Sequence, residues 1–268
     1  MFFSVLLLFL SLSAEAEIYQ WSDDQGQVHF SDKPQAGAKI LKVDAGYSYY
    51  QLKKIYDGDT VLLSNGKKVR FLGVNTPEVE GRNKSAQAGG EKAKKWLMMA
   101  LKNKKIRLET DVEKKDKYGR LLAHIFTEDD MHVNLELIKL GLASVNIYPP
   151  SLKYSDEFLL AERQAEQKGL GIWGIAEYAP KQAEEIKSGQ YKGWQRVLGT
   201  VKNIRHSRRY SYLNVTDSFA LKVDRKAQSL FPKLDSYIGK SIEVRGWINK
   251  HKNHYSLFMR HPSAIRNR

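Results

Sequence analysis

The stretch LKKIYDGDTVLLSNGKKVRFLGVNTPE, Leu52 to Glu78, decides the fold. Residues 52–56, 60–63 and 67–74 read as strands, because β-branched and apolar residues recur between turn formers. Asn65-Gly66 joins the last two: both residues accept the positive φ that a tight two-residue hairpin demands. Farther on, Ala93, Trp96, Leu97, Ala100 and Leu101 fall at helical spacing. Residues 106–109 and 121–126 supply further strands, and 135–142 and 155–168 further helices. About five strands with helices against them predict an OB-type barrel over residues 50–176. Beyond a polar connection at 177–194, strands are expected at 197–204, 210–215, 220–223, 241–248 and 255–258, with a short helix at 226–234. That pattern predicts a second, smaller OB-like barrel over 195–268, so the fold class is mainly β with α.

Working toward the N-terminus, 37–49 reads as a linker or edge element and 17–36 as a small β-hairpin module around Ser22-Asp23-Asp24-Gln25-Gly26. Two aromatics near that turn can bind a sugar or a base, but packing is their commoner use. Residues 2–12 are apolar and uncharged, and Ala14-Glu15-Ala16 fits a signal-peptidase site. We therefore expect a signal peptide at 1–16 and export to the periplasm or medium. No Lys or Arg precedes the run, which leaves a retained anchor as the alternative. The chain has no cysteine, so stability outside the cell rests on the core and not on disulfides.

Lys plus Arg number 44 against 30 for Asp plus Glu, a net charge of +14, which favours a polyanionic partner because neutralising phosphates releases counterions. The seven histidines show no paired ligand spacing, and neither a cysteine nucleophile nor a Gly-rich phosphate loop is present. Zinc hydrolase and nucleotidase chemistry therefore lack a basis.

What remains is a set of acidic, basic and hydroxyl residues between Asp57 and Arg120. Asp59, Asn75 and the main-chain oxygen of Thr76 can form part of an oxygen cage for Ca²⁺, a hard cation that takes about 6 to 8 such ligands. Glu78 follows Pro77, whose ring stiffens the loop carrying the carboxylate. Arg70 lies in an apolar strand, where a charge is costly unless it faces a partner, and Arg120 follows the turn Asp116-Lys117-Tyr118-Gly119. Each residue also has a plain alternative, as a turn former or one half of a surface ion pair. In the C-terminal region Arg208, Arg209, Tyr210 and Tyr212 interleave cations with rings, a pattern that suits single-stranded nucleic acid or a barrel core equally.

Four motifs in order, I-x-D-G-D-T at Ile55, V-R-F-L-G-V-N-T-P-E at Val69, D-K-Y-G-R at Asp116 and G-I-W at Gly171, resemble the staphylococcal nuclease (thermonuclease) family. The resemblance spans residues 53–173 and implies a Ca²⁺-dependent endonuclease acting on DNA and/or RNA with little sequence preference. It assigns Arg70, Glu78 and Arg120 to catalysis, Glu78 as general base and the arginines on the scissile phosphate. Lys117, Tyr118 and Tyr148 would contact substrate, although Tyr148 is shifted against the family pattern. Where the family usually has aspartate, this chain has Asn75, which implies weaker metal binding. The N-terminal segment resembles a short module of unknown function on exported bacterial proteins. Nucleic acid is thus the expected partner of a monomer with no stable membrane insertion after signal cleavage. Two alternatives stay open: a catalytically weak or inactive nucleic-acid-binding protein on the same fold, and an envelope-associated scaffold.

Overall fold

Residues 18–41, 48–81, 85–186 and 191–268 are described by a computed structural model. The expected signal at 1–16 lies outside the described residues. No helix among them is long and apolar enough to cross a membrane. The chain divides into two compact units, Met1–Ser48 and Tyr49–Arg268.

In the first unit β1 (Ile18–Ser22) pairs antiparallel with β2 (Val28–Ser31) across the expected turn, where Asp23 accepts the N–H of Gln25 and Gln27 on its carboxylate. Trp21 stacks on His29 at 5.4 Å. The hairpin gains a third strand: β3 (Lys39–Leu41), in the stretch read as a linker or edge element, forms the sheet edge on the other side of β1. Three residues give too short a run for periodicity to register.

The second unit begins with β4 (Tyr49–Tyr50), β5 (Leu52–Ile55), β6 (Thr60–Leu63) and β7 (Lys68–Phe71). The β6–β7 hairpin forms at Asn65-Gly66 with Val61 opposite Val69, but Gly66 alone takes positive φ, 83°, and its N–H donates to the Leu63 carbonyl at 3.0 Å, so the loop spans Ser64 to Gly66 and is not the expected two-residue turn. The single strand expected over 67–74 is broken. Past Leu72 the chain turns into β8 (Gly73–Asn75) because Gly73 takes φ 73°, and a Cβ there would lie 2.4 Å from the Phe158 ring. Only glycine meets both conditions. Helix α1 (Gly90–Ala100), β9 (Ile106–Glu109), β10 (Leu121–Thr127), α2 (Val133–Lys139), β11 (Ser144–Asn146) and α3 (Ser155–Gln167) follow. The sheet runs β4-β9-β10-β7-β6-β5, while β8 pairs with β11. Val61, Leu63, Val69, Phe71, Leu97, Ile125, Leu137 and Phe158 fill the space beneath it.

His124 and His132 lie in this core 5.3 Å apart, packed on Tyr154. Burial pushes His124 down to about 4 and His132 to about 3. Unfolded histidine binds a proton near pH 6.5 that the folded rings refuse, so this stability is complete above pH 6.5 and drains as pH falls toward 4. Each ring accounts for up to about 3 kcal/mol of that loss. In thermal melts the midpoint falls steeply across this window, and His132→Phe flattens the slope; an unaltered slope would remove His132 as the cause.

Residues 177–194, expected to be a connection, carry β12 (Lys181–Gln182), which lies along β13 (Trp194–Thr200), and bury Ala183 and Ile186 in the C-terminal core. The remaining strands are β14 (Asn203–His206), β15 (Tyr210–Asn214), β16 (Phe219–Asp224), β17 (Ser241–His251), β18 (His254–Met259) and β19 (Ile265–Asn267). Their order is β12-β13-β17-β18-β16-β15-β14, with β19 beside β17. Thus the run expected as one strand over 197–204 is two. Instead of the expected helix at 226–234 there are 3₁₀ turns, Arg225–Leu230 and Leu234–Tyr237, parted at Pro232, which has no N–H to continue a helix. The expected class holds, mainly β with a few helices, but both sheets are open in hydrogen-bonded order among the described residues, not closed barrels.

A buried ionic network fastens this sheet to α3. Arg245 donates to Glu243 at 2.6 Å and to Glu166 at 2.8 Å, and pairs with Glu162 at 3.4 Å. Arg266 reaches Glu162 at 2.6 Å and Glu166 at 2.7 Å; Arg196 holds Glu243 at 2.8 Å and also pairs with Glu166. Burial would raise the Glu243 carboxyl, but Arg196, Arg245 and Arg268 hold it down at about 2.

Candidate active site

The turn before β6 sets the acidic wall. Asp57 accepts the N–H of Asp59 at 3.0 Å, and Gly58 packs so closely that a Cβ would come within 2.7 Å of Thr76. Asp59 is consequently buried, with one carboxylate oxygen accepting the N–H of Thr76 at 2.8 Å and pairing with Arg70 at 2.9 Å. Its other oxygen accepts the Thr60 hydroxyl at 3.1 Å. Arg70 also donates to the Asn75 side-chain oxygen at 3.4 Å. The bend at Gly73 therefore matters directly, since it carries Asn75 and Thr76 back over Asp59. Asp57 is pushed up to about 6, first by burial and then by the neighbouring Asp59 charge.

Glu78 is placed by a reciprocal pair of bonds: its N–H donates to the Gln87 side chain and its carbonyl accepts the Gln87 N–H, both at 2.9 Å. Gly90, where α1 begins, abuts this loop so tightly that a Cβ would sit 2.3 Å from the Glu78 carbonyl oxygen. On the opposite side, Asp116 accepts the Tyr118 and Arg120 N–H groups and holds Arg120 Nε at 2.7 Å. The guanidinium is thereby fixed beside the exposed Tyr118 ring, 5.6 Å away.

All the expected catalytic, metal and substrate residues, Asp59, Arg70, Asn75, Thr76, Glu78, Lys117, Tyr118, Arg120 and Tyr148, line one cavity of about 580 Å³. Asp57, Trp247 and Arg260 also line it. Sequence reading did not foresee the last two, because no local pattern links a residue on β17, or one just past β18, to a cleft built by residues 57–120. Gln87 was missed as a positioning group, and Asp116 was read only as the start of the turn before Arg120, although the two lie four residues apart. The expected C-terminal face lies elsewhere: Tyr210 and Tyr212 are side by side on β15, 6.3 Å between ring centres, Arg209 covers Tyr210 at 5.1 Å, and Arg208 is exposed in the preceding turn.

The donor set suits a hard cation. Oxygen ligands converge, and the Asp57 carboxyl, raised first by burial and then by the Asp59 charge, is one whose ionised form a cation would favour. No cluster of three or more His, Cys, Asp or Glu side chains able to hold a metal exists among the described residues, so amide and main-chain oxygens would have to share the work.

Carboxylates, a fixed guanidinium and Glu78 lining one cleft make an arrangement that suits a phosphodiester-cleaving hydrolase. Residues 68–174 match the family described as staphylococcal nuclease homologue, and 5–49 match a domain of unknown function, DUF4124. The thermonuclease of Staphylococcus intermedius is 34% identical over 62% of this chain and 95% of its own length. That of Staphylococcus hyicus is 36% identical over 48% of this chain and 78% of its own. Endonuclease YncB of Bacillus subtilis (strain 168) is 42% identical over 47% of this chain and 62% of its own. The chain belongs to the staphylococcal nuclease family, and it is a nuclease that hydrolyses phosphodiester bonds of nucleic acid. The family match ends at residue 174, so the C-terminal sheet from β13 onward lies outside it.

Proposed function

We propose that the protein is an exported, monomeric, Ca²⁺-dependent endonuclease that cuts DNA and/or RNA with low sequence specificity. The observation that carries this reading is the single cleft shared by Asp59, Asn75, Glu78, Arg70 and Arg120. Asp59, Asn75 and Thr76 would hold Ca²⁺, with Asp57 close by. Bound there, the ion supplies Lewis-acid polarisation of a phosphoryl oxygen and neutralises charge on it. Arg70, now bridging Asp59 and Asn75, can swing its fork to phosphate oxygens, a geometry that matches bidentately. Glu78 takes the proton from the attacking water. Arg120, anchored through Nε, turns its terminal N–H groups to the oxygen that departs. Export rests on the apolar run at 2–12 and the small-residue site that follows it.

Incubating the purified protein with plasmid and with single-stranded RNA, in Ca²⁺ or in chelator, tests this directly: cleavage appears with the ion and stops without it. Retarded but intact substrate in every condition supports the alternative favoured by Asn75, a protein that binds without cutting. Asn75→Asp restores one ligand charge, and the Ca²⁺ needed for half-maximal cleavage falls by about tenfold. An unmoved metal titration would take Asn75 out of the ligand set.

A further inference from the structure

Arg260 stands where the C-terminal sheet meets the catalytic cleft. Its guanidinium lies 4.5 Å from the Tyr148 ring centre and 4.8 Å from that of Phe258, so it is held between one ring of the nuclease domain and one of β18. With Trp247, which is 38% exposed, it lines the cleft that contains Arg70 and Glu78.

From Phe258 the aromatic series continues outward. Phe258 meets Tyr210 edge-on at 6.1 Å, and Tyr210 meets Tyr212 at 6.3 Å. Lys222 sits 3.8 Å from the Tyr210 ring centre, and Arg205 4.5 Å from that of Tyr212. Register explains the alignment: Arg205 is opposite Tyr212, Tyr212 opposite Lys222, and Lys222 opposite Phe258, across four adjacent strands. Their neighbours Leu213, Leu221, Val223, Leu257 and Met259 are buried, so the row stands on the outer face. Four strands at about 4.8 Å spacing give a row some 14 Å long, enough for two or three nucleotides. The nearby acid, Asp224, is already engaged by Arg209 at 3.5 Å and by the Lys226 N–H.

We infer that this row is a track for single-stranded nucleic acid that delivers the strand to the cleft past Arg260. Rings spaced between cations fit unstacked bases and the phosphates joining them, whereas a duplex keeps its bases stacked inside. Covering rings with cations is also a common way to finish a protein surface. The row is set apart from that by its continuity and by its end, which opens into the cavity that holds the hydrolytic groups.

The inference rests on the nuclease reading for its destination but not for its binding, and the test separates them. Fluorescence anisotropy of a labelled 20-nucleotide oligo(dT), in chelator so that nothing is cut, reads binding apart from cleavage. Tyr210→Ala/Tyr212→Ala weakens this binding about tenfold or more, while Tyr210→Phe/Tyr212→Phe, which keeps both rings, binds like the parent. Equal binding by the alanine variant, or an equal loss on a duplex of mixed sequence, overturns the track. With Ca²⁺ present, the alanine variant and Arg260→Ala both raise KM for cleaving the same strand. If binding falls but neither KM moves, the track does not feed the cleft and that half of the inference is overturned. A parent protein that cuts nothing defeats the nuclease reading instead, and the anisotropy comparison alone then decides the track.

Discussion

Exchanging Glu78 for glutamine lowers turnover by roughly a hundred- to ten-thousandfold while substrate binding stays near that of the parent, the range expected when a general base is removed. The substitution keeps the side chain's size and one oxygen acceptor. It leaves intact the two main-chain bonds to and from Gln87 and the contact with Gly90 that place the loop. The change therefore isolates proton acceptance from positioning. Rate constants from single-turnover cleavage of a labelled oligonucleotide provide the measurement, with binding in chelator as control. Turnover unchanged within a factor of about three would remove Glu78 from the base role and direct attention to Asp57, another carboxyl on the same cavity.

Arg245→Ala carries the largest expected cost in stability. It strips a guanidinium from Glu162, Glu166 and Glu243 together, and Glu162 and Glu243 are almost wholly inaccessible to water. Breaking a buried ionic cluster from one side leaves charge without compensation, which costs about 3 to 5 kcal/mol. For a unit of this size that is a fall of roughly 10 °C in the melting midpoint. Because α3 and the C-terminal sheet are fastened here, KM for long strands rises as well. A melt within about 2 °C of the parent would mean that Arg196, Arg266 and Arg268 suffice for the three carboxylates.

Much of this was legible in the sequence. The hairpin at Asn65-Gly66, the amphipathic α1 and the alternation in β15 and β16 are local signals, and each element formed where periodicity placed it. The chemistry was legible too, because oxygen donors, a lone glutamate and arginines sat in short motifs that the fold then gathered around one cleft. The breaks were harder to see. Gly73 inside an apolar run reads as a weak strand residue until Phe158, 85 positions on, is known to fill the space where its Cβ would be. The part of Arg70 that pairs with Asp59, and the arrival of Trp247 and Arg260 at the cleft, depend on contacts between distant segments that no window of residues contains. Nothing local marks the acidic positions on α3 as buried. Glu162 and Glu166 there anchor three arginines from the last 75 residues, Arg196, Arg245 and Arg266, and Arg268 joins the network through Glu243 on β17.

Ala183 and Ile186 are interior residues of the C-terminal sheet although they come before its first long strand, and β12 is hydrogen-bonded along β13. A protein engineer who truncated the chain after residue 176 to obtain a minimal enzyme would amputate those plugs together with the partners of α3. The remnant would present Glu162 on a bare helix and lose the far wall of the cleft. The seam between the halves is a weld, and Tyr49–Arg268 forms one compact unit.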